Sequence, residues 1–133
     1  MSVLTGYIRA TLMGNSSVYA EVGSRIYPQK LPLNPTIPAI VVTEPATNTE
    51  ITTDSYSRVQ ITCFHTKGVS TSAYDNACNL SAKVKRALLN HSGVRNGVYV
   101  NEGISHIIDI EPELVDDSLY AVHSDYGVIW ETH

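Results

Sequence analysis

The chain has 133 residues, 43% of them hydrophobic and 17% charged, with a formal net charge of −4 and a pI near 5.6. That length makes one domain, residues 1–133, able to bury roughly two-thirds of the surface its unfolded chain exposes. The acidic balance excludes a general phosphate-binding surface, which needs clustered Lys and Arg. No apolar run approaches the roughly 20 residues that cross a bilayer, and no repeat of 20–50 residues is visible.

The N-terminal stretch MSVLTGYIRATLMG is interrupted by Thr5, Gly6 and Arg9, so it lacks the apolar block of a signal peptide. The chain is expected to be made and kept in the cytoplasm. Cys63 and Cys78 are then reduced thiols, because disulfides need an oxidising compartment. Residues 2–13 space apolar side chains three and four apart, at Val3, Leu4, Tyr7, Ile8, Leu12 and Met13, which predicts an amphipathic helix stopped by Gly14. A second, shorter helical turn covers Ser16–Val22, capped by Ser16 or Ser17 and ended by Gly23.

The chain then passes through VGSRIYPQKLPLNPTIPAIVVTE, residues 22–44, with prolines at 28, 32, 35 and 38. Proline fixes φ and biases its predecessor towards extended backbone, so residues 28–38 are predicted to be a stiff, polyproline-like strap. Arg25 and Tyr27 are expected to anchor its start to the domain. A buried strand follows at Ile37–Thr43. The segment EPATNTEITTDS, about residues 44–55, has only Ile51 as a sizeable apolar residue and is predicted to be an exposed arm.

Tyr56–Thr66 alternates: Val59, Ile61 and Cys63 fall on one face, and Arg58, Gln60 and Thr62 on the other, with Phe64 as the exception. That is a half-buried strand. Ser70–Leu89 is the strongest helix, with a stripe at Ala73, Ala77, Leu80, Val84, Ala87 and Leu88. Ser72 with Asp75 resembles a capping box, and Lys83, Lys85 and Arg86 sit near the C-terminus, where the helix dipole favours cations. From Gly93 the chain returns to strands: Val98–Val100 is expected to pair briefly within a loosely patterned stretch at 93–103, and Ile104–Glu111 is read as a strand with Ile104, Ile108 and Ile110 on one face beside His106. The turn Glu113–Ser118 leads to a final strand, Leu119–Glu131, with Tyr120, Val122, Tyr126, Val128 and Trp130 on one face. The order predicts an α+β fold: a mostly antiparallel sheet of four to five strands, with the N-terminal helix and one long helix packed on one face.

No phosphate-binding loop, dinucleotide fingerprint, nucleophile elbow, zinc-protease motif, EF-hand or CxxC is present. His65, His91, His106, His123 and His133 are scattered. A metal or acid–base site could be assembled from His106, Asp109 and His123, but their strand parities differ and no spacing rule supports it. The expectation is no enzyme, no metal and no cofactor, with a small enzyme as the reading of another class. Cys63 and Cys78 read as core residues. The row Arg58, Gln60, Thr62 and Phe64 has one aromatic on an acidic chain, a poor match to sheets that stack nucleic-acid bases. A solvated face, or one covered by a neighbouring subunit, fits better. The carboxylates Glu111, Glu113, Asp116 and Asp117 surround the final turn and are explained by solvation alone.

Taken together, the layout resembles the tail-completion, or tail-terminator, family of long-tailed bacteriophages. The resemblance rests on VGSRIYP at 22–28, PAIVVTE at 38–44 after the proline strap, SRVQITCF at 57–64 before an alanine-containing helix, and the closing pair SHIIDIEPELVDDSLYAVHSDYGVIW at 105–130. It covers nearly the whole chain and carries no catalytic motif.

The resemblance implies a structural virion protein at the head–tail interface: a homohexameric ring that ends tail-tube polymerisation. Its partners would be further copies of itself, the tail tube protein and the head-completion or connector protein. DNA would pass through its lumen without sequence-specific binding, and no membrane would be involved. The interface residues expected on this reading are Thr47, Asn48, Thr49, Glu50, Ile51, Thr52 and Thr53 of the arm, with Arg58, Gln60 and Thr62 of the polar row. Glu111, Glu113, Asp116 and Asp117 would be lumen-facing carboxylates. A head-side joining or stopper ring is the alternative within the class, and a nucleic-acid-binding sheet is another alternative outside it.

Overall fold

The structure, a computed structural model, describes residues 3–44, 55–116 and 118–132. Three helices, α1 (Val3–Met13), α2 (Ser16–Val22) and α3 (Ala73–Leu88), pack on one face of a six-stranded sheet. The strands are β1 (Ile26–Pro28), β2 (Ala39–Thr43), β3 (Ser55–Thr66), β4 (Gly93–Arg95), β5 (Val98–Asp116) and β6 (Leu119–Thr132), in the order β1-β2-β3-β6-β5-β4. All neighbours are antiparallel except β1 and β2, which run parallel because the strap carries the chain back before β2 begins. The α+β class holds. The sheet has more strands than the sequence suggested because β1 and β4 are three residues each, too short to show a period.

The helix ends follow local chemistry. Ser72 caps α3, its hydroxyl accepting from Asp75 N at 3.0 Å. The cap of α2 is Asn15 rather than Ser16 or Ser17: its backbone is extended and its side-chain oxygen accepts from Ser17 N and Val18 N, both at 3.1 Å. The strap is not a uniform polyproline helix. Gln29 and Asn34 adopt left-handed φ values of 67° and 52°, and the Ile37–Pro38 peptide is cis. Arg25 does anchor it, donating to Pro38 O and Glu21 O, each at 2.9 Å.

Alternation sets the two faces of the sheet. Ile40 and Val42, Val59, Ile61 and Cys63, and Tyr126, Val128 and Trp130 point under the helices, where they meet Leu4, Tyr7, Ile8, Leu12, Leu80, Val84 and Leu88 in one continuous core. Burying each such side chain contributes on the order of 1.5–3 kcal/mol. The one indole in the chain is buried with its polar edge satisfied, Trp130 Nε1 donating to Ser57 Oγ at 2.9 Å.

Strand β5 departs most from expectation. It runs on through Asp116, so most of the expected turn at Glu113–Ser118 is strand. Its register against β6 shifts between Asn101 and Ile104, between His106 and Ile108, between Ile110 and Glu113, and between Leu114 and Asp116. The shift after His106 reverses parity. Ile104 and His106 pair with Val128 and Tyr126 of the core face, whereas Ile108 and Ile110 pair with Asp125 and His123 of the outward face. A single inserted residue flips every later side chain to the other side.

At the first shift, Gly103 has φ +85°, and a Cβ there would lie 2.9 Å from Asn90 Cα, where the end of α3 crosses the strand. Asn90 N donates to Ile104 O at 3.0 Å to hold that crossing. Gly103→Ala is therefore expected to destabilise the domain by about 1–3 kcal/mol, combining left-handed strain with a backbone clash. Urea unfolding of the two proteins measures the loss.

Candidate functional site

The polar row forms as the alternation predicts. Arg58, Gln60 and Thr62 lie on the sheet face away from the helices, opposite Gly127, Asp125 and His123. Asp125 organises it: Arg58 Nε and Nη2 both donate to Oδ2, at 3.0 and 2.7 Å, and Gln60 Nε2 reaches Oδ1 at 3.3 Å. Thr62 Oγ1 lies 2.8 Å from His123 Nδ1, and Nε2 of that ring is 3.7 Å from Glu113 Oε1. The row is thus a cross-strand polar network that satisfies itself. Tyr56 lies over Gly127 on the same face, covering backbone that has no side chain of its own. The arm residues Thr47, Asn48, Thr49, Glu50, Ile51, Thr52 and Thr53 lie outside the described residues.

A second polar group sits on the helix side, where α3 meets β5 and β6. Ser124 Oγ donates to Asp109 Oδ1 at 2.6 Å, so the 3.3 Å contact from Ser81 Oγ on α3 must be donated to Ser124. His106 Nε2 and Lys85 Nζ reach the same carboxylate at 2.8 and 3.0 Å. Burial pushes the Asp109 carboxyl up, but the hydrogen bonds from Ser124, His106 and Lys85 and the Lys85 charge outweigh it and hold it at about 2. A separate cluster joins α2 to α3 and β3: Glu21 pairs with Lys83 and, at 3.2 Å, with His65.

These placements separate the histidine site considered from sequence. His106 and Asp109 touch each other under the helices, while His123 is on the opposite face, bonded to Thr62. The sheet stands between them. Cys63 is buried and Cys78 partly so, and burial pushes both thiols up, away from a reactive thiolate. Among the described residues, no group of three or more His, Cys, Asp or Glu side chains is placed to hold a metal.

Glu111 and Glu113 are exposed along β5, and Asp116 ends that strand; Asp117 lies outside the described residues. Sequence reasoning missed their surroundings. Ile107, Ile108, Ile110, Leu114 and Val115 of the same strand are 39%, 49%, 41%, 55% and 49% exposed. A signal was present: the adjacent pair Ile107-Ile108 breaks the two-residue alternation, as a bulge requires.

Two changes test these networks. Asp109 has a folded-state value below its ordinary 3.8, so its ionised form stabilises the fold above that pH, and the contribution is lost as pH falls towards about 2. The stability gap between wild type and Asp109→Asn should accordingly be largest above pH 4 and close towards pH 2, read from urea midpoints across that range. Asp125→Ala removes the acceptor that Arg58 and Gln60 share and should cost about 0.5–1.5 kcal/mol at pH 7 by the same assay.

No protein-family model matches the sequence, and no curated protein matches it. Among solved structures, the fold is shared with a chain of the virion of a native gene transfer agent particle. The TM-score is 0.73 at 15% identity, over 96% of this chain and 94% of that one. A second solved chain superposes with TM-score 0.58 at 13% identity, over 100% of this chain and 98% of its own. At those identities the likeness is one of fold, and it extends over essentially the whole domain.

Proposed function

We propose that this chain is a structural protein of a phage-like virion, acting as the ring that ends tail-tube polymerisation and joins the tail to the head connector. The observation that carries this reading is the shared fold, nearly end to end, with a chain of a gene transfer agent virion. The sequence resemblance to tail terminators, in the proline strap, the SRVQITCF strand and the closing hairpin, points the same way. The polar groups of the outward row bond one another, an arrangement that builds surface rather than a reactive centre.

On this reading the work is done by shape. A ring needs heterologous contacts, one patch against a different patch of the neighbour, repeated through a rotation that closes. Six copies, an upper surface for the connector and a lower one for the last tube ring complete the proposal. A chain of net charge −4 repels the DNA backbone, which suits a lumen that DNA must traverse.

Negative-stain microscopy with native mass, over a range of concentrations and with purified tail tubes, tests it. Six-fold rings with an open centre that seat on tube ends and stop their elongation are expected. A monomer at every concentration that also leaves tube ends bare would overturn the proposal, and rings that seat on the connector alone would move the chain to the head side.

A further inference from the structure

The segment that links α3 to β5 runs past α1 and holds it through side chains. Arg95 Nη1 donates to Ala10 O at 3.0 Å, Asn96 Nδ2 donates to Gly6 O at 3.1 Å, and His91 Nδ1 lies 3.0 Å from the Tyr7 hydroxyl. Gly6 and Ala10 are four residues apart and Tyr7 and Ala10 three, so these contacts line one side of the helix. The His91 and Tyr7 rings meet edge to face, with centroids 5.8 Å apart and planes at 73°. His91 is half-buried, and its own backbone N donates to Leu88 O at 3.0 Å.

The charge beside His91 sets it apart from the other described histidines. His65, His106 and His123 each lie within reach of a carboxylate, Glu21, Asp109 and Glu113 respectively. Among the described residues, no carboxylate pairs with His91. Its charged neighbour is Arg95, which grips the adjoining turn of α1 and acts on both Tyr7 and His91. The other bases of the elements packed here are engaged elsewhere: Arg9 of α1 bonds the carbonyls of Ser24 and Ile26, and Lys85 of α3 bonds Asp109. Burial, reinforced by the Arg95 charge, holds the His91 ring below its ordinary 6.5. Burial pushes the Tyr7 phenol above its ordinary 10, so it stays an O–H group.

We infer that His91 is an acid-sensitive latch on α1: neutral, its ring accepts the Tyr7 hydroxyl and the helix is held fast, whereas protonated it sets a second cation beside Arg95 and loosens the helix. In the imidazolium both ring nitrogens carry protons, so Nδ1 ceases to accept and the phenol must turn its oxygen to it. Folding favours the neutral ring, so its contribution to stability is complete above 6.5 and is lost as pH falls through that value and below it. Leu4, Ile8 and Leu12 are fully buried whatever the state of the ring, so α1 opens more often without leaving the core. The latch lies within a single chain and is independent of any ring.

The full chain, labelled for NMR and followed from pH 8 to pH 5, tests this. The His91 ring should titrate below 6.5, and Arg95→Gln should move its midpoint up towards that value. Over the same range, exchange of the α1 amides, corrected for the intrinsic pH dependence of exchange, should accelerate about three- to tenfold in the wild type, as a shift of up to about one unit provides. In His91→Gln the corrected α1 rates should stay level. The two wild-type readings stand even where a variant folds poorly. A wild-type His91 midpoint at or above 6.5 would overturn the latch, and so would α1 exchange that does not accelerate. An acceleration that persists in His91→Gln would assign the acid response to another group and overturn it equally.

Discussion

Twelve consecutive residue pairs hold β3 to β6, from Ser55 with Trp130 to Thr66 with Leu119, without a register shift. Each pair places both members on the same face, so the alternation of either strand is imposed on the other. A slip of one residue would turn Val59, Ile61 and Cys63 towards solvent and Arg58, Gln60 and Thr62 into the core. The helices, the buried Trp130 and the outward polar row all depend on that one alignment. Only a register in which both patterns agree buries apolar residues on one side and leaves Asp125 able to collect Arg58 and Gln60 on the other.

β5 shows what happens when the alternation is relaxed. It follows β6 faithfully at Ile104 and His106, then bulges, and its next isoleucines emerge on the far face. The strand keeps its place because Asp109 remains on the helix side, where Ser124, His106 and Lys85 converge on it and tie β5 to both β6 and α3. A carboxylate with that many donors is well satisfied while only partly buried, so it fixes the hairpin without the large desolvation cost of a fully enclosed charge. The bulge then presents aliphatic side chains on a length of strand whose outer side pairs with no described strand.

Much of this was legible in the sequence, for identifiable reasons. α3 was readable because its stripe, its Ser72 cap and its basic last turn agree, and β3 and β6 because each runs long enough for a period of two to declare itself. β1 and β4 showed only as short extended pieces, the one ending at Pro28 and the other beginning at Gly93, since three residues cannot show a period. The cap of α2 was misread because Ser16 and Ser17 are as capable as Asn15 by type, and only the backbone conformation distinguishes them. The faces of β5 were misassigned because the pattern was read through a bulge. Of the interface residues expected from the resemblance, Arg58, Gln60 and Thr62 stand where parity put them, but their partners on β6 come from pairing sixty and more residues away, which no local pattern contains.

The energetics of the two surfaces favour different fates. A polar row whose donors and acceptors already match one another gains little from a partner, because any new hydrogen bond replaces one with water or with a neighbour in the row. Its charges are cancelled locally, with Arg58 against Asp125, so it also steers nothing from a distance. The β5 edge has the opposite balance. From Ser105 to Asp116 no described strand pairs with its outer side, its aliphatic groups lose nothing by leaving water, and of its described carboxylates Asp109 meets Lys85 while Glu113 lies 3.7 Å from His123. A surface of that kind is stabilised by being covered.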